Sequence, residues 1–322
     1  MLRRHLLAAA LVAAAAPAFG QAYPSKPITM IVPFAAGGPT DLLARIIGER
    51  MGKELGQQFI IENVTGAAGT IAMAKLARAA PDGYTIGIGH VGTNVANAVI
   101  YTKLGFDLVN DLEPIARLPA NPMLVVSTNN VPAKTLKELV EYLKANPDKV
   151  SGGTAGIGSG SHLGALAFNK ATGATYQLVP YRGTGPAMQD LISGQIQVMV
   201  DQSSNSLPQV QAGKIRAYAQ TSAKRSPAMA DIPTAAEAGY PIEVSIWNGL
   251  WAPKGTPKDV IDKLNAAAVT ALSDPAVRKR MEELGQDLPT AEEMKPASFA
   301  AFQKAELARW RPILEAAGVK AE

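Results

Sequence analysis

The chain has 322 residues, a formal net charge of +4 and no cysteine. The lack of cysteine excludes disulfides, thiolate nucleophiles and Cys-based metal sites, and it suits an oxidising compartment. A near-balanced charge argues against nucleic-acid binding, which needs clustered positive charge. Beyond residue 22 the histidines are His90 and His162, which is a poor basis for a zinc site. We therefore expect no metal and no cofactor.

Residues 1–22 are typical of a secretory signal peptide. Arg3 and Arg4 precede the apolar run 6–16, and small-x-small cleavage sites end at Gly20 and Ala22. An uncleaved anchor is the alternative, and a lipid anchor is excluded because no Cys follows the run. No later stretch has the roughly 20 apolar residues of a membrane helix. We therefore expect a soluble, exported mature protein, with its net charge lowered by two.

The chain then alternates short β-rich runs with amphipathic helices, which predicts an α/β fold. The first unit has strands predicted at 27–33, 59–64, 84–89 and 113–118. A helix is predicted from Thr40, where apolar residues recur at helical spacing up to the stop at Gly56, and another at 71–80.

A second unit repeats this pattern. Strands are predicted at 123–127, 150–155, 176–180, 196–200 and 215–221. Thr135 and Glu138 have capping-box spacing and open one helix. Another helix starts near Thr184, with Pro186 in its first turn.

After Ser222 the chain is irregular and rich in proline, and then a strand is predicted at 243–251. Two helices follow the pairs Thr256-Pro257 and Asp274-Pro275, in which a capping residue precedes proline, and a third is predicted at 298–317. This tail is too amphipathic to stand alone, so we expect it to dock on the first unit.

The whole chain therefore predicts two domains built on mixed, mostly parallel sheets flanked by helices. Residues 23–123 and 226–322 form domain I, and residues 124–225 form domain II. Such a chain crosses between the domains twice, which makes a hinge with a ligand cleft between the domains.

A glycine-rich loop between the first strand and its helix is the strongest local feature. Glycine lets a backbone approach a ligand closely, and a helix start offers unpaired N–H groups and partial positive charge. This construction predicts an anion site made from backbone. An ordinary tight turn capped by Thr40 or Asp41 is equally compatible. The candidate residues are Phe34, Ala36, Gly37, Gly38, Thr40 and Asp41.

A second loop, 154–162, has the same construction and also follows a strand. Its candidates are Ser159, Gly160, Ser161 and His162. His162 could donate to an anion, although a partly buried histidine at a helix start is the plainer interpretation. Because one such loop lies in each unit, the two could face each other across a cleft. We expect Gly37→Val or Gly160→Val to abolish binding and to leave the fold largely intact.

Further candidates lie at other strand ends. His90 and Thr93 follow the third strand, where Gly87, Gly89 and Gly92 match a dinucleotide fingerprint. We discount that match because two of the glycines lie inside the strand. The remaining candidates, each with a structural alternative, are Arg182 and Gly183 in a strand-to-helix loop, Asp201 at a strand end and Trp247 on the returning strand.

Enzyme signatures are missing from the sequence. There is no G-x-S-x-G, P-loop lysine or H-E-x-x-H. Ser159, His162 and Asp201 could form a triad, but their spacing does not support one. We expect no catalytic residues. An exported α/β hydrolase acting on a small acid or ester is the second hypothesis, and a receptor that docks a sensor is the third.

Several segments in one order resemble the receptors of tripartite tricarboxylate transporters, the Bug or TctC-type family. The resemblance covers nearly the whole mature chain. Its landmarks are 33–41 with Ala44-Arg45, 62–63, 66–69, 81–84, 179–183, 231–234, 237–239 and 252–257.

This resemblance implies a two-domain periplasmic binding protein of type II topology, a clamshell that we expect to be monomeric. It implies that a small carboxylate is held by the loops 34–41 and 159–162, while His90, Thr93, Arg182, Asp201 and Trp247 contact its far end. Di- and tricarboxylates, acidic amino acids and aromatic acids are the implied ligands. The implied partner is an integral-membrane permease.

Overall fold

The computed structural model describes residues 23–321, so the proposed signal peptide at 1–22 lies outside the described residues. No helix within residues 23–321 is long and apolar enough to cross a bilayer. The strands are β1 Ile28–Val32, β2 Phe59–Asn63, β3 Thr85–His90, β4 Leu112–Thr128, β5 Ser151–Thr154, β6 Gln177–Pro180, β7 Val198–Gln202, β8 Ile215–Gln220 and β9 Ser245–Pro253. The α-helices are α1 Pro39–Leu55, α2 Thr70–Ala77, α3 Asn97–Ile100, α4 Leu136–Ala145, α5 Gly160–Thr172, α6 Thr184–Ser193, α7 Ser203–Gln211, α8 Lys258–Ser273, α9 Pro275–Glu283 and α10 Pro296–Ala316.

The strands form two sheets that share the long strand β4. The first has the order β2-β1-β3-β9-β4, and the second joins β6, β5, β7, β4 and β8. We call the first sheet with α1–α3 and α8–α10 lobe 1, and the second sheet with α4–α7 lobe 2. The predicted mixed α/β architecture is confirmed. The strand pairings around β1 and β5 are parallel, but every pairing made by β4 and β9 is antiparallel, so parallel pairs do not predominate.

Strand β4 corrects the prediction of two separate strands at 113–118 and 123–127. Its first part pairs with β9 as far as Pro122, and from Met123 onward it pairs with β7 and β8. The intervening prolines suggested a break, because proline cannot donate to a sheet. The structure accommodates them with register shifts near Pro114 and Pro119. This strand is the first crossing between the lobes, and the segment before β9 is the second.

Two helical segments were missed by the sequence analysis. Helix α7 begins directly after β7 and contains Pro208 and six polar residues, which left too few apolar residues to show a helical period. A π-helical turn, Gly92–Ala96, follows β3 and leads into α3. Both segments start at the ends of strands that point toward the gap between the lobes.

Each lobe has an apolar core. In lobe 1, β1 and β3 pack with α1 and α8 through residues such as Met30, Ile47 and Leu264, all fully buried. In lobe 2, β4 and β7 pack with α6 through Val126, Met199 and Leu191. Each such burial contributes about 1.5–3 kcal/mol. These cores hold the strand ends that carry the candidate site.

Candidate functional site

A cavity lies where the carboxyl ends of the parallel strands of both lobes face each other, the usual ligand position in open α/β sheets. Its volume is about 10 Å³, close to the space of one water molecule. The lobes are therefore closed on each other. The lining residues are Phe34, Gly38, Pro39, Thr40, His90, Ala155, Gly160, Ser161, Thr184 and Gln202.

Five helical segments begin at this cavity. Helices α1, α5 and α6 start with the lining residues Pro39, Gly160 and Thr184, and α7 and the π-helical turn start just after Gln202 and His90. A helix start carries about half a positive charge and unpaired N–H groups. None of the described lining residues is Lys or Arg. Any positive field that the lining residues produce in the cavity therefore comes from backbone.

In the first loop, Asp41 supports the turn from outside the cavity. Its carboxylate accepts from Arg45 at 2.9 Å and 3.0 Å, from the Gly37 N–H at 2.9 Å and from Asn63 at 2.9 Å. Burial alone would raise the pKa of Asp41, but these bonds together lower it below its ordinary value. Its oxygens are thus committed to the protein.

The other candidates in this loop fall into two groups, one that lines the cavity and one that is exposed on the surface. Phe34, Gly38 and Thr40 are buried and line the cavity, whereas Ala36 and Gly37 are exposed and do not. The Gly37 N–H is occupied by Asp41, and a Cβ at Gly37 would meet nothing within 4 Å. Any effect of Gly37→Val would therefore come from its positive φ of 84° and not from a blocked cavity.

The second loop uses its side chains as local caps. Ser159 is the N-cap of α5 and accepts from the His162 N–H at 3.3 Å. The Ser161 Oγ accepts from the Ala155 N–H at 2.9 Å, and the His162 Nδ1 accepts from the Gly158 N–H at 3.2 Å. Burial lowers the pKa of His162. Gly160 and Ser161 reach the cavity, whereas Ser159 and His162 shape the loop behind it.

His90 is a neutral donor in the cavity wall. Its Nδ1 accepts from the N–H groups of Gly92 at 2.9 Å and Thr93 at 3.3 Å, which assigns the proton to Nε2. Its ring stacks on Phe34 with the centroids 5.2 Å apart. Burial lowers the pKa of His90 to about 4. The Thr93 hydroxyl bonds to the His90 backbone and to Asn94, so Thr93 holds this strand end and does not line the cavity.

Lobe 2 contributes a buried carboxyl group next to the cavity. Asp201 accepts from Asn205 at 2.6 Å and from Ser206 at 2.9 Å, and its Oδ1 has no partner among the described residues. Burial raises the pKa of Asp201 to about 6, although these hydrogen bonds oppose the rise. Its neighbour Gln202 reaches the cavity itself.

Arg182 and Gly183 serve the contact between the lobes. The Arg182 side chain is exposed, but its carbonyl accepts from the Ala35 N–H at 3.0 Å. A Cβ at Gly183 would lie 3.1 Å from the Ala35 nitrogen, so glycine permits this close approach. The Arg182 guanidinium is thus not brought to the cavity, contrary to the expected contact with a ligand.

Trp247 lies in the core of lobe 1, away from the cavity. Its Nε1 donates to Glu306 of α10 at 2.8 Å, and its ring packs edge-on against Phe299 and Phe302. The structure therefore supports the structural alternative for this residue. Trp247 holds the C-terminal helix on β9.

Four lining residues were missed: Pro39, Ala155, Thr184 and Gln202. Pro39 and Thr184 each start a helix, Ala155 directly follows β5, and Gln202 is the last residue of β7. The sequence predicts Arg182 and Gly183 as site residues in this loop, whereas the residue that lines the cavity is Thr184, directly after them. Treating every residue at a predicted strand end as a candidate would have found Ala155, but the strand predicted at 196–200 ends two residues before Gln202.

The three residues of the conceivable hydrolytic triad are not arranged as one. His162 Nδ1 accepts a backbone N–H, Ser159 caps α5, and Asp201 bonds to residues of α7. Within residues 23–321, no cluster of three His, Asp or Glu side chains could hold a metal.

Comparison with known proteins agrees with this geometry. The model of the "Tripartite tricarboxylate transporter family receptor", TctC, matches residues 43–319. The UPF0065 protein of the TAR-I ttuE-ttuC' intergenic region of Agrobacterium vitis is 39% identical over 322 residues, covering 98% of this chain and 92% of that protein.

Solved structures are similar along most of the chain. The periplasmic binding protein BugD has a TM-score of 0.89 at 43% identity, covering 93% of this chain and 100% of that one. MatC of Rhodopseudomonas palustris with bound malate has a TM-score of 0.87 at 40% identity, covering 91% and 100%. An R. palustris protein with adipate has a TM-score of 0.87 at 33% identity, covering 92% and 99%.

The family match, the relatives and the shared fold give one conclusion. This chain belongs to the tripartite tricarboxylate transporter receptor family, TctC, whose members are periplasmic solute-binding receptors and not enzymes.

Proposed function

We propose that this receptor clamps a small carboxylate between its two lobes and delivers it to the membrane permease of a tripartite tricarboxylate transporter. The convergence of five helix starts on one cavity carries this proposal. Burying a carboxylate without partners is prohibitive, and here several N–H groups can converge on it.

The chemistry of the lining favours an anion over a cation or a neutral solute. Helix α1 first bonds internally at Leu42, whose N–H donates to the Gly38 carbonyl. The N–H groups of Thr40 and Asp41 therefore belong to the unpaired first turn. Thr40, Ser161, Thr184 and His90 add hydroxyl and imidazole donors. Malate in MatC and adipate in its relative are acids of a suitable size.

Capture requires the lobes to open, because the closed cavity has room for about one water molecule. A ligand that contacts both lobes stabilises the closed state by its differential affinity. We place domain I at 23–123 with 226–322 and domain II at 124–225. Export by the signal peptide at 1–22 and function as a monomer complete the proposal.

Calorimetry of the mature protein against malate, succinate, adipate and citrate tests the ligand class. We expect at least one acid to bind and its fully methylated ester to fail, because that ester does not carry the charge that the helix starts favour. An ester that binds as tightly as its acid would contradict the proposal.

The variant Gly160→Val tests the site. A Cβ at Gly160 meets Ile246 at 3.2 Å beside the cavity, so we expect at least about a tenfold loss of affinity for that acid. Gly48→Val is a matched control, since its Cβ would meet Phe59 at 3.3 Å and Gly48 does not line the cavity. Loss of uptake in a deletion strain, restored by the native protein and not by Gly160→Val, would support delivery to a permease. Intact uptake would favour a sensor.

A further inference from the structure

Three buried polar side chains at the joint between the lobes have atoms without partners. Asn121, Ser204 and Gln286 are 1%, 3% and 6% exposed. Among the described residues, both amide atoms of Asn121, both amide atoms of Gln286 and the hydroxyl of Ser204 make no hydrogen bond. We call these three residues the joint cluster.

The backbone brings the joint cluster together from three parts of the fold. Ala120 and Asp287 exchange both backbone hydrogen bonds, at 2.9 Å and 2.8 Å. In this antiparallel register the next pair along is Asn121 and Gln286. Ser203 donates to the Gly285 carbonyl at 3.3 Å, which places the first turn of α7 beside the same segment.

Ser204 moves with one lobe when the lobes part, whereas Asn121 and Gln286 stay together on the other. Asn121 lies in β4 just before the strand passes from the first sheet to the second. Ser204 lies in α7 of lobe 2, and Gln286 follows α9 of lobe 1. Opening would draw Ser204 away from Gln286 and admit water to all three.

Closure therefore carries a free-energy cost at this joint. A buried polar group without a partner is destabilising, and trapping water to pair it costs entropy. Exchanging O and N cannot rescue Asn121 or Gln286, because both atoms of each amide lack partners. The same groups are hydrated without cost when the lobes are apart.

We propose that the joint cluster holds the receptor open until a ligand binds. The proposal rests on the two-lobe clamp of the proposed function. The apparent affinity of a receptor falls in proportion to the population of its binding-competent state. The joint cluster thus lowers affinity and prevents the empty receptor from closing.

Two variants each remove the unpaired atoms of one member of the joint cluster with little change of volume: Ser204→Ala and Gln286→Met. We expect each to decrease the radius of gyration of the ligand-free protein in small-angle X-ray scattering. We expect each to bind malate or adipate, the two probes, about 5- to 10-fold more tightly in calorimetry.

Ser127→Ala and Gln303→Met are matched controls. Ser127 bonds to Tyr218 at 2.7 Å, and Gln303 bonds to Trp251 at 3.1 Å, so both are buried with partners. Neither control should tighten binding or decrease the radius of gyration. An unchanged radius in both joint variants would overturn the proposal. The scattering result decides even where neither acid binds, since that failure would contradict the carboxylate function alone.

Discussion

Two buried titratable groups beside the cavity respond to pH in opposite ways. The pKa of His90 is lowered to about 4, and that of Asp201 is raised to about 6, both by burial. As the pH falls, the unfolded chain binds a proton at His90 before the folded chain does. The contribution of His90 therefore lowers the free energy of unfolding as the pH falls from about 6.5 to 4. At Asp201 the order is reversed, because the folded chain binds the proton at a higher pH than the unfolded chain. The contribution of Asp201 therefore lowers the free energy of unfolding as the pH rises from about 4 to 6.

The two effects are each on the order of 3 kcal/mol and largely cancel in the native protein. Asp201→Asn should therefore be more stable than the native protein at pH 7 and no more stable near pH 3.5. His90→Gln should gain relative stability as the pH falls below about 6.5. Urea unfolding from pH 3.5 to 7.5 measures both slopes, and parallel curves for all three proteins would contradict the assignment.

At the scale of an element, helix caps show which local signals acted as expected. Thr135 accepts from the Glu138 N–H at 3.2 Å, and Glu138 accepts from the Lys134 N–H at 2.7 Å. Gly56 ends α1 in the left-handed conformation, and Asp274 caps α9 through two N–H groups. These signals depend on four or five neighbouring residues, so packing elsewhere does not change them.

Removing one such cap should affect stability without affecting binding. We expect Thr135→Ala to lower the free energy of unfolding by about 1 kcal/mol, because an orphan N–H is left at the start of α4. Thr135→Ser keeps the acceptor and should restore most of the loss. Urea unfolding gives the stability, and calorimetry with the best-binding acid gives the affinity. A change in affinity would mean that α4 is coupled to the cavity.

At the scale of the molecule, direct bonds between the lobes stabilise the closed form. The Tyr101 hydroxyl donates to the Ile157 carbonyl at 3.1 Å, and the Ala35 N–H donates to the Arg182 carbonyl at 3.0 Å. These bonds favour closure, whereas the joint cluster opposes it. Their balance sets how readily a weak ligand can close the receptor.

The variant Tyr101→Phe removes one of these bonds and should weaken ligand binding about two- to tenfold. The thermal midpoint of the ligand-free protein should stay nearly unchanged, because the open form does not make this bond. Tyr142→Phe is the control, since the Tyr142 hydroxyl makes no hydrogen bond within residues 23–321. Equal affinities for Tyr101→Phe and the native protein would show that this contact has no part in closure.

The sequence by itself determined the α/β class, most element positions, the caps at Gly56, Thr135 and Asp274, and the family. It also located both glycine-rich loops at strand ends. These features can be predicted because they depend on local patterns: the spacing of apolar residues, capping residues and glycine at turns. The predicted cap at Thr256 was wrong, because Pro257 occupies the N-cap position of α8 and the Thr256 hydroxyl donates to the Pro253 carbonyl. Phe34, Gly38, Thr40, His90, Gly160 and Ser161 were predicted as site residues and do line the cavity.

Only the tertiary structure decided which neighbours within those loops face the cavity. Four polar candidates lie in the predicted loops, but their side chains accept hydrogen bonds from nearby backbone N–H groups and do not line the cavity. They are Asp41, Ser159, His162 and Thr93. The sequence predicts two strands in place of β4, because its prolines suggest a break. The register shifts that keep the strand continuous depend on its pairing with β9, which a local pattern does not show. Long-range pairing brings Gln202 to the cavity and buries the joint cluster. Neither could be predicted from the sequence, since burial without a partner is a property of the assembled fold.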